Sequence, residues 1–215
     1  MSVQEIHAAI RILKKEDQKW LMPVVGHYTK TPFTVLISCL LSLRTQDKTT
    51  HAASERLFRL AKTPQAMDNV PASTIEKAIY PVGFYKTKAL NIKKICVILL
   101  SRNNGRVPDE MDELLKLPGV GRKTANLVLT LGYGKSGICV DTHVHRITNR
   151  WGYVETKTPE QTEMALRQKL PHQYWMIIND LLVAYGQNLC KPISPFCSQC
   201  KIHPYCDRVG VKVSR

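Results

Sequence analysis

The sequence predicts an all-α protein with two helical domains. Three observations carry that expectation. Apolar residues recur at three- and four-residue spacing along most of the chain, no segment sustains the alternation of a half-buried strand, and Thr, Ser, Gly and Pro fall where helices start or stop. With 215 residues, 44% of them hydrophobic, the chain can bury a sizeable core in one or two domains, and that composition fits a folded chain better than a disordered one.

In order along the chain, Ile6, Ala9, Ile10 and Leu13 form one face of a first helix. Thr31-Pro32 reads as an N-cap with proline at the first helical position, and Phe33 to Leu43 is apolar all round, as a central buried helix should be. Ser73-x-x-Glu76 and Thr158-x-x-Gln161 have capping-box spacing. Ala89, Ile92, Cys96 and Leu99 make another buried stripe, which stops at Asn104-Gly105. A short helix over about 109–116 and a longer one from Arg122 to Leu131 flank Leu117-Pro118-Gly119-Val120-Gly121. The run from Gly132 to Gly137 then breaks the pattern and is the best hinge candidate. Three more helices are expected, near 142–150, 159–170 and 172–185.

The formal net charge is +14, with 31 Lys and Arg against 17 Asp and Glu, and the excess is spread along the chain. A folded face following a polyanion is the expected consequence. The most apolar stretch, Val35 to Leu43, is too short for a membrane span and contains Ser38, Cys39 and Ser42. The N-terminus, with Glu5, Lys14, Lys15 and Glu16, is no signal peptide.

Cys190, Cys197, Cys200 and Cys206 are separated by six, two and five residues, and Pro192, Pro195 and Pro204 stiffen the loop between them. Four thiolates so close in sequence can surround one soft metal centre. A disulfide pair fits less well with a chain large enough to need no staples, and the spacing leaves zinc and iron–sulfur both open. Gly119 and Gly121 bracket Val120 in an inter-helix turn. Lacking Cβ atoms, they permit unusual dihedrals and let backbone N–H groups and the start of the next helix approach an anion, with Arg122 as a phosphate neighbour; an ordinary helix–helix turn is the alternative.

Lys123 sits in the first turn of that next helix, where the macrodipole and Arg122 both disfavour its ammonium form. That suits a nucleophile, although most lysines so placed simply bind phosphate. Asp141, between an apolar run and a helix, reads as an N-cap. His143 and His145 point to different faces of one helix and do not make a metal pair, while Cys39, Cys96 and Cys139 lie in apolar stripes as core thiols.

Together, the cysteine loop and the Leu117-Pro118-Gly119-Val120-Gly121-Arg122-Lys123-Thr124-Ala125-Asn126 motif resemble endonuclease III, the DNA base-excision glycosylase family of the helix-hairpin-helix type. The resemblance runs over nearly the whole chain. It implies a helical barrel domain over 25–135 and a discontinuous domain of 1–24 and 136–215 around a [4Fe-4S] cluster, with a DNA-binding cleft between them.

The resemblance also implies a bifunctional DNA glycosylase and AP lyase that removes oxidised pyrimidines. Lys123 would be the Schiff-base nucleophile, Asp141 the catalytic carboxylate with His143 beside it, and the four cysteines the cluster ligands. Gly119, Val120, Gly121 and Arg122 would contact DNA, and Lys191 and Lys201 in the cysteine loop would present charge to the backbone. Arg44 stands where the family usually inserts glutamine opposite the lesion, and Phe84 matches an apolar wedge on the opposing loop. The expected partner is duplex DNA carrying damaged bases or abasic sites, bound by a monomer with no membrane contact. If the source is prokaryotic, the protein would be cytoplasmic and nucleoid-associated. A monofunctional glycosylase, which lacks the lysine, and a non-catalytic hairpin DNA-binding protein are the rivals.

Overall fold

The computed structural model describes residues 1–20 and 31–215. Among these are eleven α-helices, short 3₁₀ segments and one π-helical turn, with no strand. The chain divides into two compact units, Val24–Ser136 and Met1–Pro23 with Gly137–Arg215. The division after Ser136 falls inside the glycine-rich run. The expected boundary between residues 24 and 25 lies outside the described residues. No helix among the described residues is long and apolar enough to cross a membrane.

The unit Val24–Ser136 is built around α2 (Pro32–Ser42), whose residues 33 to 41 are all buried. Thr31 caps it, accepting the Thr34 N–H at 3.3 Å. Around α2 pack α3 (Asp47–Leu60), α6 (Tyr85–Arg102) and α8 (Arg122–Leu127), while α4 (Pro64–Asp68) and α5 (Ala72–Ile79) cover α6.

Helix α5 corrects one expectation. Its N-cap is Pro71, so Ser73 lies inside the first turn and no capping box forms; the helix starts two residues earlier than the polar spacing implied. Helix α6 ends as expected. The N–H groups of Asn103 and Gly105 both reach the Leu99 carbonyl, at 3.0 and 2.8 Å, with Gly105 at φ +73. Helix α7 (Met111–Leu115) is short, and α8 passes into a π-helical turn over Val128–Gly132 where one continuous helix was expected. At that turn a Cβ on Gly132 would come within 2.9 Å of the Pro32 Cα, so backbone packing against α2 requires the glycine. Lys135 ties the end of the unit to Asp109 at 2.8 Å.

In the other unit, α1 (Val3–Glu16) buries Ile6, Ala9, Ile10 and Leu13 in a core shared with Trp151 and Tyr153. Helices α9 (Thr142–Arg150), α10 (Pro159–Lys169) and α11 (Ile178–Asn188) complete it, with α11 against both α9 and α1. Thr158 caps α10 by accepting the Gln161 N–H at 3.2 Å. The Gln161 side chain reaches back one residue further than a standard capping box, to the Lys157 N–H at 2.9 Å.

The helix expected over 172–185 is interrupted. A 3₁₀ turn, His172–Tyr174, precedes α11, because the Trp175 indole N–H is drawn to the Leu170 carbonyl at 2.9 Å and Ile177 closes a turn on Tyr174.

Candidate functional site

The turn between α7 and α8 is held from inside. Leu117 and Val120 are 3% and 7% exposed, and the Val120 N–H is donated to the Leu117 carbonyl at 3.1 Å. Val120 therefore anchors the turn; its side chain faces the core rather than solvent. Only one of the two glycines is used for its dihedral freedom. Gly119 has φ +80, and a Cβ there would sit 3.0 Å from the Asn91 amide, whereas Gly121 is extended and a Cβ would meet nothing within 4 Å. Gly121 instead leaves the start of α8 uncovered. Arg122 and Lys123 form its first turn and are both half-buried. Lys123 lies close enough to act electrostatically on Cys39 of α2, whose thiol burial pushes up to about 12.

Asp141 is the N-cap of α9. Its Oδ1 accepts the N–H groups of His143 and Val144 at 2.8 and 3.0 Å. The His143 ring Nδ1 lies 3.2 Å from Arg146 Nη2, which also donates to the Cys190 carbonyl at 2.9 Å. A residue the sequence reading missed makes this possible. A Cβ on Gly186 of α11 would stand 2.3 Å from His143 Nδ1 and 2.9 Å from Arg146 Nη2, so the glycine leaves room for the pair. The expected helix stopped at Tyr185, which put Gly186 where a C-terminal glycine is ordinary, so only the extent of α11 in the structure reveals it as a helix-interior glycine. His145 turns away to Thr162 Oγ1 at 2.7 Å.

Arg44 and Phe84 meet on neighbouring loops of the Val24–Ser136 unit. Both are exposed and both adopt left-handed backbone, φ 53 and 57, with the guanidinium 5.7 Å from the ring centroid. They line an open cavity of about 410 Å³ with Leu40, Lys88, Asn91 and Gly119. Lys88 was not foreseen. It is 8% exposed, and its ammonium donates to the carbonyls of Leu41 and Leu43 at 2.9 and 2.6 Å and to Thr45 Oγ1 at 3.3 Å. Burial pushes its pKa down to about 8, while the three oxygen acceptors favour the charged form. The same acceptors occupy the nitrogen, which leaves Lys88 poorly placed as a nucleophile despite that shift.

The four loop cysteines line one small cavity with Arg150 and Tyr185. Arg150, 7% exposed at the end of α9, donates to Cys190 Sγ at 3.3 Å and to the carbonyls of Lys191 and Pro192 at 2.9 and 3.1 Å. The Tyr185 hydroxyl lies 2.9 Å from Cys200 Sγ, and burial raises the thiols of Cys200 and Cys206, the latter to about 11. Among the described residues, no three His, Cys, Asp or Glu side chains converge as a single-ion site.

The loop's two lysines differ. Lys191 lies over the Phe196 ring at 5.4 Å, while Lys201 is paired with Glu16 at 2.7 Å, which offsets its charge locally. Lys201 therefore offers a phosphate less than its place in the sequence implied.

An all-helical chain with a glycine turn opening onto a lysine and a cysteine loop behind a capped aspartate is matched as a class. Residues 37–172 fit the HhH-GPD superfamily of base excision DNA repair proteins. Endonuclease III of Thermotoga maritima is 48% identical over 182 residues, covering 85% of each chain, and that of Escherichia coli is 38% identical over 177 residues, covering 82% of this chain and 84% of its own. A solved non-covalent endonuclease III–DNA complex superposes with a TM-score of 0.86 at 33% identity, covering 97% of this chain and 96% of that one. The chain belongs to the endonuclease III family of DNA glycosylases.

Proposed function

We propose that this chain is a bifunctional glycosylase and AP lyase acting on oxidised pyrimidines in duplex DNA, with Lys123 as its nucleophile. The observation that carries the reading is the place of Lys123, in the first turn of α8 immediately after the Gly119–Gly121 turn. The Gly121 backbone and Arg122 hold a phosphate at that uncovered helix start. The uncharged Lys123 amine forms a bond to sugar C1′ as the bond from C1′ to the base breaks, and the base leaves with the bonding electron pair. The attached nitrogen passes one proton to the departing base, the C1′–O4′ bond then breaks with O4′ taking a proton to become a hydroxyl, and the protonated imine so formed acidifies the C2′ proton, whose removal expels the 3′ phosphate by β-elimination before water hydrolyses the imine. Asp141 supports the positive charge that develops on the sugar, with its carboxylate fixed by the α9 cap.

Arg44 and Phe84 fill the space that the extruded nucleotide leaves in the duplex. A relative of 33% identity has been solved in complex with DNA, which supports DNA as the ligand. The protein acts as a monomer, in the nucleoid if its source is prokaryotic.

The four cysteines would hold a [4Fe-4S] cluster. All four line one small cavity, and burial first, with Cys190, Cys200 and Cys197 adding to it, raises the Cys206 thiol, so a cationic cluster core there would favour the thiolate form that binds it. When bound, the cluster cross-links the loop; the repair chemistry passes through Lys123 and Asp141 instead.

Borohydride trapping on an abasic duplex tests the assignment. Wild type should form a covalent adduct, Lys123→Gln should form none while still binding the lesion, and Asp141→Asn should bind but excise slower by orders of magnitude. Asparagine is itself a good cap, so that variant removes the charge and spares the helix. Base release by wild type without trapping would establish a monofunctional enzyme.

A further inference from the structure

Neither loop carrying Arg44 and Phe84 has a secondary structure of its own to hold it. The first is the end of α2, where the last carbonyls have no partner within the helix. The second precedes α6 and places Phe84 at φ 57, a backbone conformation costly for a side chain of that size. Exposed residues in such loops ordinarily sample many positions.

Two contacts join the loops directly. The Gly83 N–H donates to Thr45 Oγ1 at 3.2 Å, and a Cβ on Gly83 would lie 2.7 Å from the Arg44 carbonyl, so the two backbones touch. Thr45 Oγ1 in turn donates to the Leu43 carbonyl at 3.2 Å. Lys88 lies at the centre. From the first turn of α6 its ammonium spans Leu41, Leu43 and Thr45, completing the end of α2 and securing the hydroxyl on which Gly83 rests. A buried cation at a helix C-terminus also complements the dipole there.

We propose that Lys88 is a positioning residue that locks the Arg44 and Phe84 loops into one preformed insertion pair, so that extrusion of a nucleotide from the duplex does not pay for ordering them. The inference rests on the assignment of Arg44 and Phe84 to the vacated space. It gives Lys88 no role in the covalent chemistry. Ordering two loops only on binding would cost affinity for the extruded state, a cost that preorganisation removes.

The test compares Lys88→Met, of similar length but without donors, with Arg44→Ala and Phe84→Ala. Three readouts are needed: excision from duplexes with each opposite base, fluorescence of 2-aminopurine beside the lesion as a measure of unstacking, and borohydride trapping on a single-stranded abasic oligonucleotide, which needs no extrusion. Lys88→Met should lower duplex excision and the unstacking signal at least tenfold and flatten the opposite-base preference as Arg44→Ala does. Single-strand trapping should stay within twofold of wild type. The Lys88→Met, Arg44→Ala double variant should be no worse than the poorer single, because both remove one function.

Equal losses on duplex and single strand, or an unchanged opposite-base preference, would overturn the proposal. Should Lys88→Met fail to fold, Thr45→Val cuts the same link, and an unchanged unstacking signal in that variant overturns it equally. If Arg44→Ala and Phe84→Ala are themselves silent, the insertion assignment has failed. If they act while Lys88→Met and Thr45→Val do not, only the positioning role has.

Discussion

The glycine turn before α8 and the cysteine loop after α11 are both irregular segments of similar importance, yet they are stabilised in opposite ways. The turn is self-contained: Leu117 and Val120 anchor it in the core, one glycine supplies the left-handed residue, and its internal hydrogen bond is local in sequence. The loop borrows its order from elsewhere. Arg150, some 40 residues earlier, satisfies Cys190 and the carbonyls of Lys191 and Pro192, and the four cysteines line one small cavity. A segment that solves its own backbone accounting tolerates the loss of distant partners, and one that does not is hostage to them.

The sharpest way to break that comparison is through the loop. Serine at Cys190, Cys197, Cys200 or Cys206 should remove iron and sulfide together and bleach a yellow-brown protein, as absorbance and metal analysis would read directly. A colourless zinc protein would end the cluster reading. Arg150→Met should come close behind. Each buried acceptor left without its donor costs about 1–3 kcal/mol, so denaturant unfolding should show a loss of at least about 3 kcal/mol and reduced iron content, with no comparable variant in the glycine turn.

Gly186→Ala ranks next. The added methyl cannot coexist with His143 and Arg146 as they stand, and overpacking of this kind costs about 1–3 kcal/mol. Excision should slow as His143 is displaced beside Asp141, while iron content stays near wild type; an unchanged rate would detach His143 from the site.

Within the turn, the two glycines should separate. Gly119→Ala forces a side chain to φ +80 and should cost about 1–2 kcal/mol of stability, whereas Gly121→Ala should cost under about 0.5 kcal/mol and weaken DNA binding instead. Equal stability losses would show that Gly121 is structural after all.

The smallest effect separates the loop's own lysines. Lys191→Ala should lower the salt dependence of duplex binding by about one unit, as loss of one phosphate contact does. Lys201→Ala should change it less, because Glu16 already offsets that charge. A larger change for Lys201 would show that the ion pair opens on DNA.

Helix content, the apolar α2 and the caps at Thr31 and Thr158 were legible because each depends on spacing within a few residues. Where a cap had a competitor next to it, as Ser73 had in Pro71, the local pattern misled. The break at Trp175 and the π-helical turn after α8 were hidden, since contacts outside the repeat of a helix impose them.

The sequence by itself determined which residues can do chemistry: a cysteine spacing fit for a metal, a glycine turn followed by a lysine, an aspartate at a helix start, and an excess of positive charge. It could do so because side-chain type and short-range spacing are local quantities. Only the tertiary structure decided how those residues are supported. Lys88 reaches across more than forty positions to the end of α2, Arg150 fastens Cys190, and Gly186 makes room for His143. Such supports join residues far apart in the chain, and burial and hydrogen-bond geometry select them, so no pattern of neighbouring letters carries them.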